Sequence, residues 1–274
     1  MRQSLPQSRT AQQPPPEHSA PPHAPVVLLE ICVDSLASVQ ACARAGADRI
    51  ELCAGLVEGG TTPSYGFVRA ARRMFPGKLM AMLRPRAGDF VYSADEFDLM
   101  LDEIDGLRHQ GADGIVCGML TPAGAIDHAR LPILLARAAG LDFTFHRAFD
   151  VSRDLAESLE LLIALGVPRV LTSGGHPDVQ RGLAALTDLA RQAAGRIRLL
   201  PGGGVTPELI PEILRRTGVS EVHLSARVAL PSPMQYRRPD IPMGAATVPA
   251  EYERKTASEA IIRAARAAST RAGT

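Results

Sequence analysis

From Val26 onward, short apolar and β-branched runs alternate with amphipathic or Ala/Leu-rich stretches. The runs predict strands over Val26–Val33, Arg49–Cys53, Lys78–Arg84, Gly114–Leu120, Asp142–Phe149, Arg169–Ser173, Ile197–Pro201 and Glu221–Ser225. The stretches between them predict helices over Ser35–Ala45, Ser64–Met74, Ala94–Gln110, Ala129–Ala139, Asp154–Leu165, Val179–Ala193 and Pro207–Thr217, with an eighth over Thr256–Ala268. Gly46, Gly111, Gly140, Gly166 and Gly218 each follow a helix directly, as a C-cap does. Strand-helix alternation calls for parallel strands with helical crossovers. Eight units in about 250 residues suit a single-domain α/β fold, the closed (β/α)₈ or TIM barrel, over 26–270. The rival is an open, doubly wound sheet. It is disfavoured by the count and by the lack of a GxGxxG opening the first helix.

Residues 1–25 break this rhythm. They are rich in Pro, Gln and Ser, carry few large apolar residues and lack the apolar core of a signal peptide. They read as a disordered N-terminal tail.

Composition narrows the function classes. The chain of 274 residues has a net charge of +1, so no field of one sign would attract nucleic acid. No apolar run is long enough to span a membrane. The four cysteines, Cys32, Cys42, Cys53 and Cys117, form no CxxC pair, which suits a reducing, cytoplasmic compartment. Lys78 and Lys255 are the only lysines and neither ends a strand, which argues against Schiff-base chemistry.

In a barrel, alternate strand residues point inward, and function gathers at the strand carboxyl ends. Period two makes Glu30, Cys32, Glu51, Cys53, Arg84, Thr144, His146, His223 and Ser225 the expected inward set. So many polar groups at one end point to a site, while inward positions near the amino ends are expected to be apolar packing. The structural alternative is that Glu30 or Glu51 merely pairs with Arg84. Cys32 and Cys53 occupy matching positions on neighbouring strands about 4.8 Å apart, close enough for two thiolates to share a soft ion such as Cu(I). Cys42 reads as helix packing, and Cys117 is ambiguous. Gly202, Gly203 and Gly204 after strand seven, with Ser225 after strand eight, are candidate backbone donors to an anion, with Arg84 as a further donor. Gly174 and Gly175 are a second loop of that kind.

Several stretches carry a resemblance: LLEICVDS (28–35), GADRIELCAGLVEGGTTPS (46–64), RPRAGDFVYS (84–93), FTFHRAFD (143–150), RVLTSGG (169–175), EVHLSA (221–226) and SPMQYR (232–237). Together they resemble the CutC copper-homeostasis family over about residues 26–268. The resemblance implies a TIM barrel, cytoplasmic placement, a role in copper handling and Cu(I) bound by Cys32 and Cys53. It assigns no metal role to Cys42 or Cys117.

A different class of function stays open beside it: an enzyme of isomerase or lyase type acting on a small anionic metabolite, phosphorylated ones included. Glu30 and Glu51 would then act as acid and base or orient substrate. His146 would carry a proton, Arg84 or Arg86 would bind a carboxylate or phosphate, and the Gly202–Gly204 loop would hold a phosphate. A binding barrel without turnover is the third reading. The expected partner is a copper ion or a small anion, not nucleic acid or membrane, and the expected assembly is a homo-oligomer.

Overall fold

The structure, a computed structural model, describes residues 27–241 and 252–271; the segment read as a tail, 1–25, lies outside them. Eight parallel strands run β1 (Leu28–Val33), β2 (Arg49–Leu52), β3 (Lys78–Met82), β4 (Gly114–Cys117), β5 (Asp142–Phe145), β6 (Arg169–Thr172), β7 (Arg198–Pro201) and β8 (Glu221–Leu224). The helices between them are α1 (Leu36–Ala45), α2 (Tyr65–Met74), α3 (Ala94–His109), α4 (Leu131–Arg137), α5 (Leu155–Ala164), α6 (Val179–Ala193) and α7 (Ile210–Thr217). The hairpin β9 (Arg227–Pro231) and β10 (Glu253–Ala257) then precedes α8 (Glu259–Arg271).

Strands pair in the order β7-β6-β5-β4-β3-β2-β1-β8, so β1 joins β2 on one side and β8 on the other. No backbone ladder links β7 to β8 among the described residues. Side chains close that seam instead. Arg198 Nε at the start of β7 lies 3.4 Å from Glu221 Oε1 at the start of β8. At the other end, a Cβ on Gly202 would stand 3.1 Å from the Cβ of His223. The barrel is therefore nearly closed, as expected.

The hairpin is the element the sequence did not predict. Its second strand, Glu-Arg-Lys-Thr-Ala, has no apolar alternation, and its last two residues, Thr256 and Ala257, read as the start of the last helix, which begins at Glu259. Strand β5 is also shorter than predicted. His146 Nδ1 accepts the Ala148 backbone N–H at 3.1 Å, turning the chain into a helical turn over Arg147–Val151.

Helix starts follow sequence chemistry. Ser35, Ser64, Asp154 and Asp178 each accept a hydrogen bond from a first-turn amide. Ser93 and Glu96 form a reciprocal capping box.

Two faces of each strand build two interiors. Leu29, Ile31, Val33, Ile50, Leu52, Leu79 and Phe145 point outward into one large core with the helices. Fully burying one such side chain contributes about 1.5–3 kcal/mol. Cys32, Cys53, Met80, Met82 and Val116 form a smaller cluster inside the barrel.

The amino-terminal end of that interior is not apolar packing, contrary to expectation. Arg49 and Arg169 are among the largest fully buried side chains. Arg49 bonds Glu30 and Glu221. Arg169 reaches Glu221 at 2.7 Å, Thr144 at 3.0 Å and Asp142 at 2.9 Å. Buried charge is tolerated because each guanidinium meets carboxylates in good geometry.

Candidate functional site

Register positions the two thiols. Cys32 on β1 lies opposite Glu51 on β2, so the two cysteines are not at matching positions as expected but two residues out of step; the Cys53 amide continues the pairing by donating to the Val33 carbonyl at 2.9 Å. The sulfur atoms stand 3.8 Å apart with no disulfide between them. Cys53 donates its S–H to Glu51 Oε2 at 3.6 Å. One ligand atom from each of Cys32, Glu51 and Cys53 falls within 4.8 Å of the others. Gly60, at φ +93°, packs against Cys53. A Cβ there would sit 3.0 Å from the Cys53 sulfur, in a backbone conformation that side chains resist.

The neighbouring Cys53 thiol, with burial, pushes Cys32 well above the ordinary thiol range. The contact with Cys32 draws Cys53 down, but burial and the Glu51 carboxylate carry it up to about 11. Both cysteines are therefore thiols, not thiolates, at neutral pH.

His223 joins this cluster to the ion pairs below. Its Nδ1 lies 2.7 Å from Glu30 Oε1, and its Nε2 lies 3.8 Å from Glu51 Oε2. Burial works to raise the Glu30 pKa, but Arg49 and His223 overcome it and hold the carboxyl at about 2. Burial works to lower the His223 pKa, but Glu51, Cys32 and Glu30 raise it well above the usual value. Burial raises Glu51. Glu30 therefore stays ionised at neutral pH, and the His223 and Glu51 titrations are linked through their contact.

A cavity of about 250 Å³ opens beside the cluster. Cys32, Glu51, Met82, Arg84, Phe90, His146, Arg147, Leu171 and His223 contribute to its wall. Arg84, buried, donates to the carbonyls of Glu58 (2.9 Å), Gly60 (3.0 Å) and Gly88 (2.7 Å). No carboxylate pairs with it among the described residues, and the expected partnership with Glu30 or Glu51 is absent. Arg49 takes Glu30 instead, one layer lower in the barrel.

His146 is also buried. Because its Nδ1 accepts the Ala148 N–H, the ring proton sits on Nε2, which has no partner among the described residues. Burial first, and then the Arg84 charge, lower its pKa to about 3, so the ring is neutral. Gly118 makes room for it: a Cβ there would lie 2.5 Å from His146 Nδ1.

Known proteins match this chain along most of its length. A family model described as the CutC family matches residues 27–228. A CutC family protein of Mesorhizobium japonicum is 46% identical over 89% of this chain and 95% of its own length. A human protein, named copper homeostasis protein cutC homolog, is 43% identical over 86% of each chain. The chain belongs to the CutC family. The crystal structure of CutC from Streptococcus agalactiae, at 34% identity, superposes with a TM-score of 0.69 over 73% of this chain and 98% of that one. A thiamine phosphate pyrophosphorylase of Pyrococcus furiosus, 14% identical with a TM-score of 0.55, shares the fold alone.

In this CutC chain, Cys32, Glu51, Arg84 and His146 share one cavity. Cys53 backs onto Cys32 and Glu51. Glu30 is committed to Arg49 and His223 and is not part of the cavity wall. The anion-loop residues are dispersed. The Gly202 N–H is spent on the Thr172 carbonyl, and Ser225 lines a separate groove with Thr206 and Glu208. The structure places Arg147, not Arg84, against Gly203. Arg86 bonds Glu96 and Asp89 away from the cavity.

Arg147, a charged residue of the cavity wall, escaped the sequence reading, as did Asp150 behind it. Arg147 reaches the cavity because Asp150 holds its Nε at 2.7 Å and Ser173 its terminal nitrogen at 2.7 Å. Asp150 also accepts from Thr172, from the Ser173 amide and hydroxyl, and from the Gly175 amide. That hub explains why the HRAFD and LTSGG segments belong together: one carboxylate ties both loops.

Proposed function

We propose that this CutC-family chain serves copper homeostasis by holding Cu(I) between Cys32 and Cys53. The observation that carries the reading is the 3.8 Å sulfur–sulfur separation, with the Glu51 carboxylate beside it. Thiolates are soft donors and favour Cu(I), which is content with few ligands. The thiols must lose their protons to bind. Glu51 accepts the Cys53 S–H and is the nearest base for that proton. His223, shared between Glu51 and Glu30, then offers positive charge beside the new thiolates. Cys32 borders the cavity, which gives the ion its path from solvent.

Four unpaired, buried cysteines suit a reducing compartment, so the cytoplasm is the proposed location. No helix among the described residues is long and apolar enough to cross a membrane.

The test is Cu(I) stoichiometry under strictly reducing conditions, read by competition with a chromogenic Cu(I) chelator. Wild type should hold copper against the chelator, and the Cys32→Ser/Cys53→Ser double variant should not. Equal retention by both would remove these cysteines as ligands.

A further inference from the structure

We propose that the same cavity binds a small organic carboxylate, with Arg84 as counter-charge and His146 Nε2–H as hydrogen-bond donor. The proposal does not depend on copper. It begins from a charge without a partner. Arg84 is 5% exposed, and its terminal nitrogens donate only to carbonyls while its Nε has no acceptor among the described residues. Carbonyl dipoles orient a guanidinium but leave its net charge uncompensated, and an uncompensated buried charge is costly.

His146, 4% exposed, supplies the second observation. It lines the same cavity, and its ring N–H is buried beneath Phe90 with no partner among the described residues. A neutral imidazole that donates suits an anion better than a metal, which would need the nitrogen lone pair. Two carboxylates line this cavity and neither pairs with Arg84: Glu51 is offset by His223, 3.8 Å away, and Glu58, an exposed residue, meets Arg84 through its backbone carbonyl.

The remaining wall selects the ligand's body. Met82, Phe90 and Leu171 are apolar, which favours a carboxylate carrying a hydrocarbon end over bare phosphate. The volume, about 250 Å³, is small and fits an acid of a few carbons. Phe90 covers both donors: its ring centroid lies 4.9 Å from that of His146 and 5.0 Å from the Arg84 guanidinium carbon. A ligand engages them by turning that ring aside.

The experiment is calorimetric titration of the full chain with acetate, propionate, isovalerate and hexanoate, with inorganic phosphate as the other arm. An excess of Cu(I) chelator keeps copper out, so failure here and failure of the copper reading are separable. At least one acid should bind saturably, and ¹⁵N NMR should show the His146 Nε2 resonance shifting with it. Arg84→Gln and His146→Phe should each weaken binding about tenfold or more, the effect of losing one charge-assisted or neutral donor. Arg84→Lys, which keeps the charge, should bind better than Arg84→Gln and guards against a folding defect in either. The proposal is overturned if no acid saturates wild type, if phosphate binds and the acids do not, or if the acids bind folded Arg84→Gln as they bind wild type.

Discussion

The imidazole of His223 lies 2.7 Å from Glu30, and through that contact the metal-type cluster rests on the ion pairs that fill the base of the barrel. Glu30 in turn bonds Arg49, and Arg49 bonds Glu221, which Arg169 also holds. The orientation of His223 toward Glu51 and Cys32 is thus set from below. This network rather than apolar packing is the floor of the site.

Glu30→Gln should therefore be mainly a stability defect. Removing one carboxylate leaves Arg49 and His223 short of negative charge in a buried place, at a cost of about 3–5 kcal/mol. Urea unfolding at pH 7 measures it. A loss below about 1 kcal/mol, the scale of an exposed pair, would show that Glu30 is not holding the floor together.

His146 gives a pH signature. Its folded pKa, lowered to about 3, lies below the ordinary value of 6.5. The unfolded chain therefore binds a proton between those two values that the native chain refuses. The stability from this group is complete above pH 6.5 and is lost as pH falls toward 3, by about 1.4 kcal/mol per pH unit for one proton. His146→Gln should flatten the slope of unfolding free energy against pH between about 6 and 4 by close to one proton. An unchanged slope would mean that the ring titrates normally.

Copper affinity should rise with pH. Both thiols have raised pKa values, so Cu(I) must displace protons to bind. Apparent affinity should climb by up to about tenfold per pH unit for each proton released, through the neutral range. Chelator competition at several pH values gives the slope; a flat profile would contradict binding at two protonated thiols.

Gly118→Ala should disturb His146 specifically. The new methyl would fall 2.5 Å from Nδ1 and force the ring from its place. Overpacking of this kind costs about 1–3 kcal/mol. The ¹⁵N resonances of His146 should move while Cu(I) stoichiometry stays that of wild type. An unperturbed His146 spectrum would contradict the packing described.

Much of this architecture was legible in the chain. Eight apolar runs separated by helical stretches identify the barrel, and period two turns Cys32, Glu51, Cys53 and His146 to the inside. Parity also turns Arg49 and Arg169 inward. Inward positions at the strand starts were expected to be apolar, and only a partner such as Glu221, far along the chain, makes burial of these arginines tolerable. The same limit hid Arg84's isolation, since which carboxylate reaches which arginine depends on barrel layers that the sequence does not number. Arg147 was invisible for a local reason: it follows β5, where His146 captures the Ala148 amide and swings the chain toward Asp150 and Ser173. The hairpin was missed because β9 and β10 pair across an intervening stretch, with mostly exposed residues and little periodicity.

X-ray absorption at the copper edge of the Cu(I)-loaded protein reads the atoms around the ion. Copper held by Cys32 and Cys53 should show a first shell of two sulfurs that is lost in the Cys32→Ser/Cys53→Ser variant. A shell of nitrogen and oxygen alone, or a sulfur shell that survives the double substitution, would contradict it.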